Sequence, residues 1–148
     1  HLRDIYQGRI VNWREIGGRD ETITVISRED GSGTRAEFEQ LMMGARQTTQ
    51  SAQLAPSSAA MVESVSKMKR GIGYVSMSYV DEQVKALSID GIEPILENVY
   101  ENIYPLRSTI YVIGLAEPED EYRNFVSWVQ SQEGQQAVAQ HYAPLLQP

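Results

Sequence analysis

The pattern of hydrophobic and polar positions predicts a strand, a glycine loop and a helix in the first third of the chain. Residues 22–27 alternate and are rich in β-branched side chains, as in a half-buried strand. The strand leads into the polar stretch 28–34, after which Phe38, Leu41 and Met42 recur at helical spacing. Residues 44–56 carry few large apolar side chains and predict an irregular connection.

A second helix and a second strand follow. Ser57 or Ser58 can cap a helix that ends near residue 70. Its apolar stripe consists of Met61, Val62, Val65 and Met68. Residues 72–76 form a short apolar strand, and residues 85–89 are a candidate edge strand before a turn at 90–91. A strand after a helix favours a parallel α/β layer over an all-β plan.

The two ends of the chain are predicted to be mainly helical. Residues 2–6 and 96–102 have short helical patterns, and residues 109–113 form the best remaining strand. Two helices close the chain, one from Pro118 and one after Ser131.

We expect four aromatic side chains in the core: Trp13, Tyr74, Phe125 and Trp128.

Composition excludes several classes of protein. The 148 residues, 41% of them hydrophobic and 22% charged, are expected to form one globular domain. The chain has no cysteine and two histidines, so we expect no metal site, no cofactor and no catalytic triad. A net charge of -7 argues against nucleic acid as a partner, and the apolar runs are too short for membrane insertion. We expect a soluble binding domain rather than an enzyme.

The stretch 28–34 is the best candidate for chemistry. Glycines between a strand and a helix let backbone N–H groups converge on an anion at the positive end of the helix dipole. Ser32 and Thr34 add hydroxyl donors, and Arg28 offers a planar fork that matches an oxyanion.

Two other interpretations of this stretch stay open at the level of spacing. Residues 34–37 fit a capping box, and Arg28 could simply pair with Asp30, so the corner needs no ligand. Residues 31–36 also fit the dinucleotide fingerprint G-x-G-x-x-A. That motif requires an acidic residue roughly 20 positions later. No acid lies between Glu39 and Glu63, so only an NADP variant using Arg46 is left.

The stretch 28–34, Arg-Glu-Asp-Gly-Ser-Gly-Thr, resembles the R-x-D-G-S-G-T signature of the phosphate-binding proteins of bacterial phosphate-specific ABC transporters. Further segments are similar to family motifs: 5–13 to I-(Y/F)-x-G-x-I-x-x-W, 71–76 to A-I-G-Y-V-S, 104–106 to Y-P-L and 131–135 to S-x-E-G-Q. Residues 45–56 are shorter and more polar than the family pattern, and residues 140–142 lack its usual glycine. These departures leave the loop untouched.

The resemblance implies a fold and a site. The fold is α/β, a three-layer αβα lobe of a periplasmic-binding-protein-like type II protein. Residues 1–148 form one substrate-binding lobe that lacks the family's N-terminal lobe, and the helices within 116–148 pack on that absent lobe in the intact protein. By the same resemblance, Arg28 binds two phosphate oxygens, Ser32 and Thr34 donate hydrogen bonds, Gly33 donates its N–H, and Asp30 accepts the proton on phosphate.

The function implied is binding of inorganic phosphate without catalysis. The intact receptor would be extracytoplasmic, either periplasmic or a cell-surface lipoprotein, and its partner would be an ABC permease. The alternatives are an NADP-binding Rossmann-type enzyme fragment and an oxyanion sensor lobe without a transporter.

Overall fold

A computed structural model describes residues 1–145. It separates into two compact units, His1–Ala86 and one that begins at Leu87. The single-lobe assignment of residues 1–148 stays a prediction.

The first unit is built around a three-stranded parallel sheet. β1 (Thr24–Arg28) lies in the centre, between β2 (Gln53–Ala55) and β3 (Gly71–Ile72). Arg28 is aligned with Ala55 of β2, and Val25 with Ile72 of β3. β3 therefore lies beside the first two residues of β1, and β2 lies beside its last three. The parallel arrangement confirms the predicted α/β class.

Short helices surround this sheet. They are α1 (Leu2–Tyr6), α2 (Gly33–Phe38) with a π-helical turn (Glu39–Met43), α3 (Ser58–Lys67), and 3₁₀ turns at Trp13–Ile16 and Met77–Tyr79. Of the two serines predicted as possible caps, Ser57 is the one that caps α3, and it accepts a hydrogen bond from the N–H of Ala60. α3 packs its buried Met61 against Ile26 of β1 and Ala55 of β2.

Three aromatic rings form the other part of the core. Tyr6, Phe38 and Tyr74 come from α1, α2 and the segment after β3, and all three are buried. Phe38 and Tyr74 are stacked with centroids 4.0 Å apart, while Tyr6 lies tilted against both. Ring contacts therefore pack α1 and α2 against the segment that follows β3.

The second unit contains α4 (Leu96–Tyr100), α5 (Asp120–Gln130) and α6 (Gln132–Val138). Ser131 ends α5 and caps α6 through the N–H of Gly134. Gly134 is buried, and an added Cβ there would meet the backbone of Trp128 and Val129. A side chain is therefore excluded at the junction of α5 and α6.

The predicted strands are the least accurate part of the sequence analysis. β2 lies inside the stretch predicted to be irregular, and β3 ends at Ile72 rather than residue 76. Residues 85–89 contribute only one bridge, between Ile89 and Ile92. The predicted strand 109–113 is wrong: these residues lack regular structure and lie exposed. A β-branched run favours a strand, but within residues 1–145 this one has no strand to pair with.

Two predictions about side chains also need correction. Ser32, not Thr34, is the N-cap of α2, so the proposed capping box at 34–37 does not form. Phe125 and Trp128 are about half exposed rather than in the core, at 50% and 45%. Tyr74 is buried as predicted, and Trp13 is half-buried with its indole N–H donating to the carbonyl of Arg70. An amphipathic pattern identifies an apolar face without showing what covers it.

Candidate functional site

The candidate site lies where β1 ends and α2 begins. β1 is a short β-branched strand whose last four residues are buried. Arg28 is its last residue, and the turn 29–31 then leads to Ser32, the N-cap of α2. Gly31 has a φ of 85°, a conformation that glycine adopts readily and that reverses the chain here. Ligands of open α/β sheets bind at this end of the strands.

Arg28 is the most buried cation of the site, with 9% of its side chain exposed. Nε and Nη2 donate to the two carboxylate oxygens of Glu29, at 2.8 and 2.9 Å. Nη1 donates to the hydroxyl of Ser58 at the start of α3, at 2.9 Å. A guanidinium has five N–H groups, so two have no partner within residues 1–145 and could meet a ligand. The predicted pairing of Arg28 with Asp30 does not occur.

The first residues of α2 present unused donors. Ser32 Oγ accepts the N–H of Arg35, and its carbonyl accepts the N–H of Ala36. Within the described residues, the N–H groups of Gly33 and Thr34 have no partner, since they precede the first intrahelical bond. Gly33 is exposed and an added Cβ would meet nothing within 4 Å, so an anion could approach its backbone closely.

A second arginine stabilises the loop from α2. Arg35 Nη1 donates to the carbonyl of Arg28 at 3.0 Å and to the carboxylate of Asp30 at 2.7 Å. Its Nε donates to Glu39 one turn along the helix at 2.9 Å. The side chain of Asp30 is 96% exposed. Arg35 therefore connects the end of β1 to the middle of the turn 29–31, and Asp30 contacts Arg35 rather than Arg28.

The ion pair of Arg28 and Glu29 dominates the electrostatics of the site. The hydrogen bonds from Arg28 lower the pKa of the Glu29 carboxyl below its ordinary value. The same hydrogen bonds raise the pKa of Arg28, so the guanidinium stays charged at every physiological pH. Arg28 thus provides a permanent positive charge with limited access to water.

The structure brings four of the five predicted residues to one corner. Arg28, Ser32, Gly33 and Thr34 lie at the end of β1 and the start of α2, whereas the carboxylate of Asp30 points to solvent. Three contributors were missed: Glu29, Arg35 and Ser58. Glu29 follows Arg28 directly and has the opposite charge, and Arg35 is four residues before Glu39, so both left a sequence signal. Ser58 left none, because it lies 30 residues from Arg28.

Other features of the described residues do not offer a better candidate for a functional site than the corner at the end of β1. Among residues 1–145 no group of histidine, aspartate and glutamate is arranged to hold a metal ion. A surface cleft of about 550 Å³ is lined by residues 20–22 and 67–70, near the amino ends of β1 and β3. That cleft is therefore at the opposite end of the strands from Arg28. No helix within residues 1–145 is long and apolar enough to span a bilayer.

A comparison with protein families identifies the fold. Residues 1–133 match the model of a PBP superfamily domain. The chain belongs to the PBP superfamily. This membership confirms the resemblance seen in the sequence, and it favours a PBP lobe over the Rossmann-type alternative. Arg46, on which the NADP variant of that alternative depends, is exposed.

Relatives of this PBP domain are named for phosphate. The phosphate-binding protein PstS of Bacillus subtilis is 32% identical over 97% of this chain and 49% of its own length. A solved Clostridium perfringens protein, assigned as a phosphate ABC transporter substrate-binding protein and containing bound phosphate, is 35% identical. It covers 99% of this chain and 61% of its own, with a TM-score of 0.86.

A third relative also matches nearly all of this chain with only part of its own length. An ABC-type phosphate transport receptor from Vibrio cholerae is 27% identical, with a TM-score of 0.77, over 95% of this chain and 59% of its own. The PBP domain thus spans about half the length of the curated relatives it matches.

Proposed function

We propose that this chain is one lobe of an extracytoplasmic substrate-binding protein that binds inorganic phosphate for an ABC importer, without catalysis. The observation that carries the proposal is the corner itself. A buried, permanently charged arginine ends β1 and two backbone N–H groups begin α2 at the same corner, and within residues 1–145 two guanidinium N–H groups and both backbone N–H groups have no partner. Tetrahedral oxyanions are bound by such arrays of N–H donors.

The relatives support phosphate as the anion. PstS of Bacillus subtilis and the Vibrio cholerae receptor carry phosphate in their names, and the Clostridium perfringens structure contains it. In this proposal Arg28 donates to two phosphate oxygens, Gly33 and Thr34 donate backbone N–H groups, and the hydroxyls of Ser32 and Thr34 donate as well. Asp30 would accept the phosphate proton after turning from Arg35. The intact protein would be periplasmic or a cell-surface lipoprotein and would deliver phosphate to an ABC permease.

We also propose that α5 and α6 pack on another lobe of the intact protein. Phe125 and Trp128 are half exposed on α5, and residues 110–113 of the same unit are all more than half exposed. Apolar surface of this kind is typical of a buried contact. The share of each relative that the chain covers leaves room for such a lobe.

Calorimetry with phosphate, sulfate and NADP tests the proposed function. The chain should bind phosphate, and Arg28→Ala should weaken binding on the order of a hundredfold, since two charged hydrogen bonds of about 1.5 kcal/mol or more each are lost. Arg46→Ala is the matched control, because it removes an exposed arginine of the same unit. Binding of NADP that depends on Arg46, or phosphate affinity unchanged by Arg28→Ala, would contradict the proposal.

A further inference from the structure

The end of β1 has a neighbouring strand on one side only. β3 pairs with Thr24 and Val25 and ends at Ile72, three positions before the alignment would reach Arg28. Beyond Ile72 the chain leaves the sheet, but the side chain of Tyr74 makes hydrogen bonds to β1. A tyrosine hydroxyl therefore contacts the strand where β3 no longer does.

The hydroxyl of Tyr74 makes two hydrogen bonds to consecutive residues of β1. It accepts the backbone N–H of Arg28 at 3.2 Å and lies 2.8 Å from Ser27 Oγ. Tyr74 is 9% exposed and Ser27 is 1% exposed. Water has little access to either group, so loss of the hydroxyl would leave the Arg28 N–H without this acceptor.

The ring of Tyr74 contacts the other half of the site. It is stacked on Phe38, the last residue of α2, with centroids 4.0 Å apart and planes within 6°. α2 is the helix whose first residues present the free N–H groups of Gly33 and Thr34. A single buried side chain thus contacts both the strand that ends in Arg28 and the helix that begins at Gly33.

We propose that Tyr74 is a positioning residue of the anion site, which holds the Arg28 backbone at a defined distance from the start of α2. The inference rests on the proposed function of the site, and it adds a residue that would not touch the anion. Without the hydroxyl, the end of β1 can shift relative to α2, and the donors from the two elements no longer converge on one anion.

Tyr6 provides a matched control within the same aromatic cluster. It is fully buried, and its hydroxyl donates to the carbonyl of Ile26 on the same strand at 3.3 Å. Tyr74→Phe and Tyr6→Phe each remove one buried hydroxyl that is hydrogen-bonded to β1 and keep the ring, but of the two hydroxyls only that of Tyr74 contacts Arg28. A merely structural role predicts equal effects of the two changes on phosphate binding.

The experiment combines calorimetry with amide hydrogen exchange by NMR. We expect Tyr74→Phe to raise the phosphate dissociation constant about three- to tenfold, as for one hydrogen bond, and Tyr6→Phe to change it less than twofold. The Arg28 amide should lose exchange protection in Tyr74→Phe and keep it in Tyr6→Phe. Ser27→Ala, which removes the other partner of the hydroxyl, should give a smaller change in the same direction and serves if Tyr74→Phe does not fold.

Equal effects of Tyr74→Phe and Tyr6→Phe on phosphate affinity would overturn the inference, as would unchanged affinity in Tyr74→Phe. Failure of the proposed function has a different signature, since the unaltered chain would then bind no phosphate and Arg28→Ala would change nothing. In that case the exchange comparison alone decides whether Tyr74 holds Arg28, and an equally protected Arg28 amide in both variants would refute it.

Discussion

At the scale of single residues, Arg28 and Glu29 set the charge balance of the candidate site. The carboxylate of Glu29 occupies one edge of the guanidinium, and Ser58 holds the remaining nitrogen. An anion at this corner therefore shares the positive charge of Arg28 with Glu29. The two negative groups repel each other, and this repulsion has a measurable consequence.

Phosphate should raise the pKa of Glu29, which Arg28 lowers in the free chain. In the free chain the pair stabilises the fold above the ordinary glutamate pKa of about 4.3, and this contribution is lost as pH falls through the lowered value. Carboxyl-carbon NMR titration with and without phosphate measures the shift.

Glu63 is the control for this titration, because Lys67 lowers its pKa at an exposed site on α3. Its titration should be the same with and without phosphate. A Glu29 pKa that does not respond to saturating phosphate would show that the ligand does not reach Arg28.

Asp30 is the residue whose proposed role agrees least with the structure, since its carboxylate is exposed and bound to Arg35. If it accepts the phosphate proton, Asp30→Asn should keep phosphate binding and strengthen sulfate binding about fivefold, because one repulsive charge is removed in water. Competition calorimetry at neutral pH gives the ratio. An unchanged ratio would assign Asp30 to the turn and to Arg35 alone.

At the scale of elements, the short helices depend on their caps and on close approach to their neighbours. α6 has seven residues, too few for a helix to be stable in isolation, so its junction with α5 is essential. The junction consists of the Ser131 cap and the buried Gly134, which contacts the backbone at the end of α5.

Gly134→Ala should therefore lower the stability of the second unit by about 1 to 3 kcal/mol, because the new methyl group would overlap backbone atoms that cannot turn away. Urea unfolding followed by circular dichroism measures the loss. Glu133→Ala, an exposed change on the same helix, should have little effect. Equal stability of the Gly134→Ala variant and the unaltered chain would show that α5 and α6 can move apart at their junction without loss of stability.

At the scale of the whole molecule, the chain covers between about half and three fifths of the relatives described above, and Gly33 leaves the candidate site open to solvent. In the proposed function, a phosphate bound here would keep much of its hydration and would lack the enclosure that strengthens charged hydrogen bonds. The exposed apolar residues of the second unit are consistent with the proposed contact with another lobe.

The isolated chain should accordingly bind phosphate on the order of a hundredfold more weakly than a full-length protein that contains it, since two lost charged hydrogen bonds already account for that factor. Calorimetry on both proteins gives the ratio, with Arg28→Ala in each as the control. Similar dissociation constants would mean that the other lobe contributes nothing to binding.

The sequence alone determined the local features. Alternation predicted β1, and the serines before an apolar stripe predicted α3 with its cap at Ser57 or Ser58, of which Ser57 is the cap. The stretch 28–34 identified the corner of the candidate site. These features depend on neighbours within a few residues, for which spacing and side-chain chemistry are sufficient.

Only the tertiary structure decided which groups meet across the chain. Arg28 is held by Ser58, 30 residues away, and by Tyr74, 46 residues away. β2 has no strand-like composition and exists because β1 supplies its hydrogen bonds, whereas residues 109–113 have that composition and no strand beside them. Pairing and orientation are set by the packing of distant segments, and one segment's pattern does not contain that information.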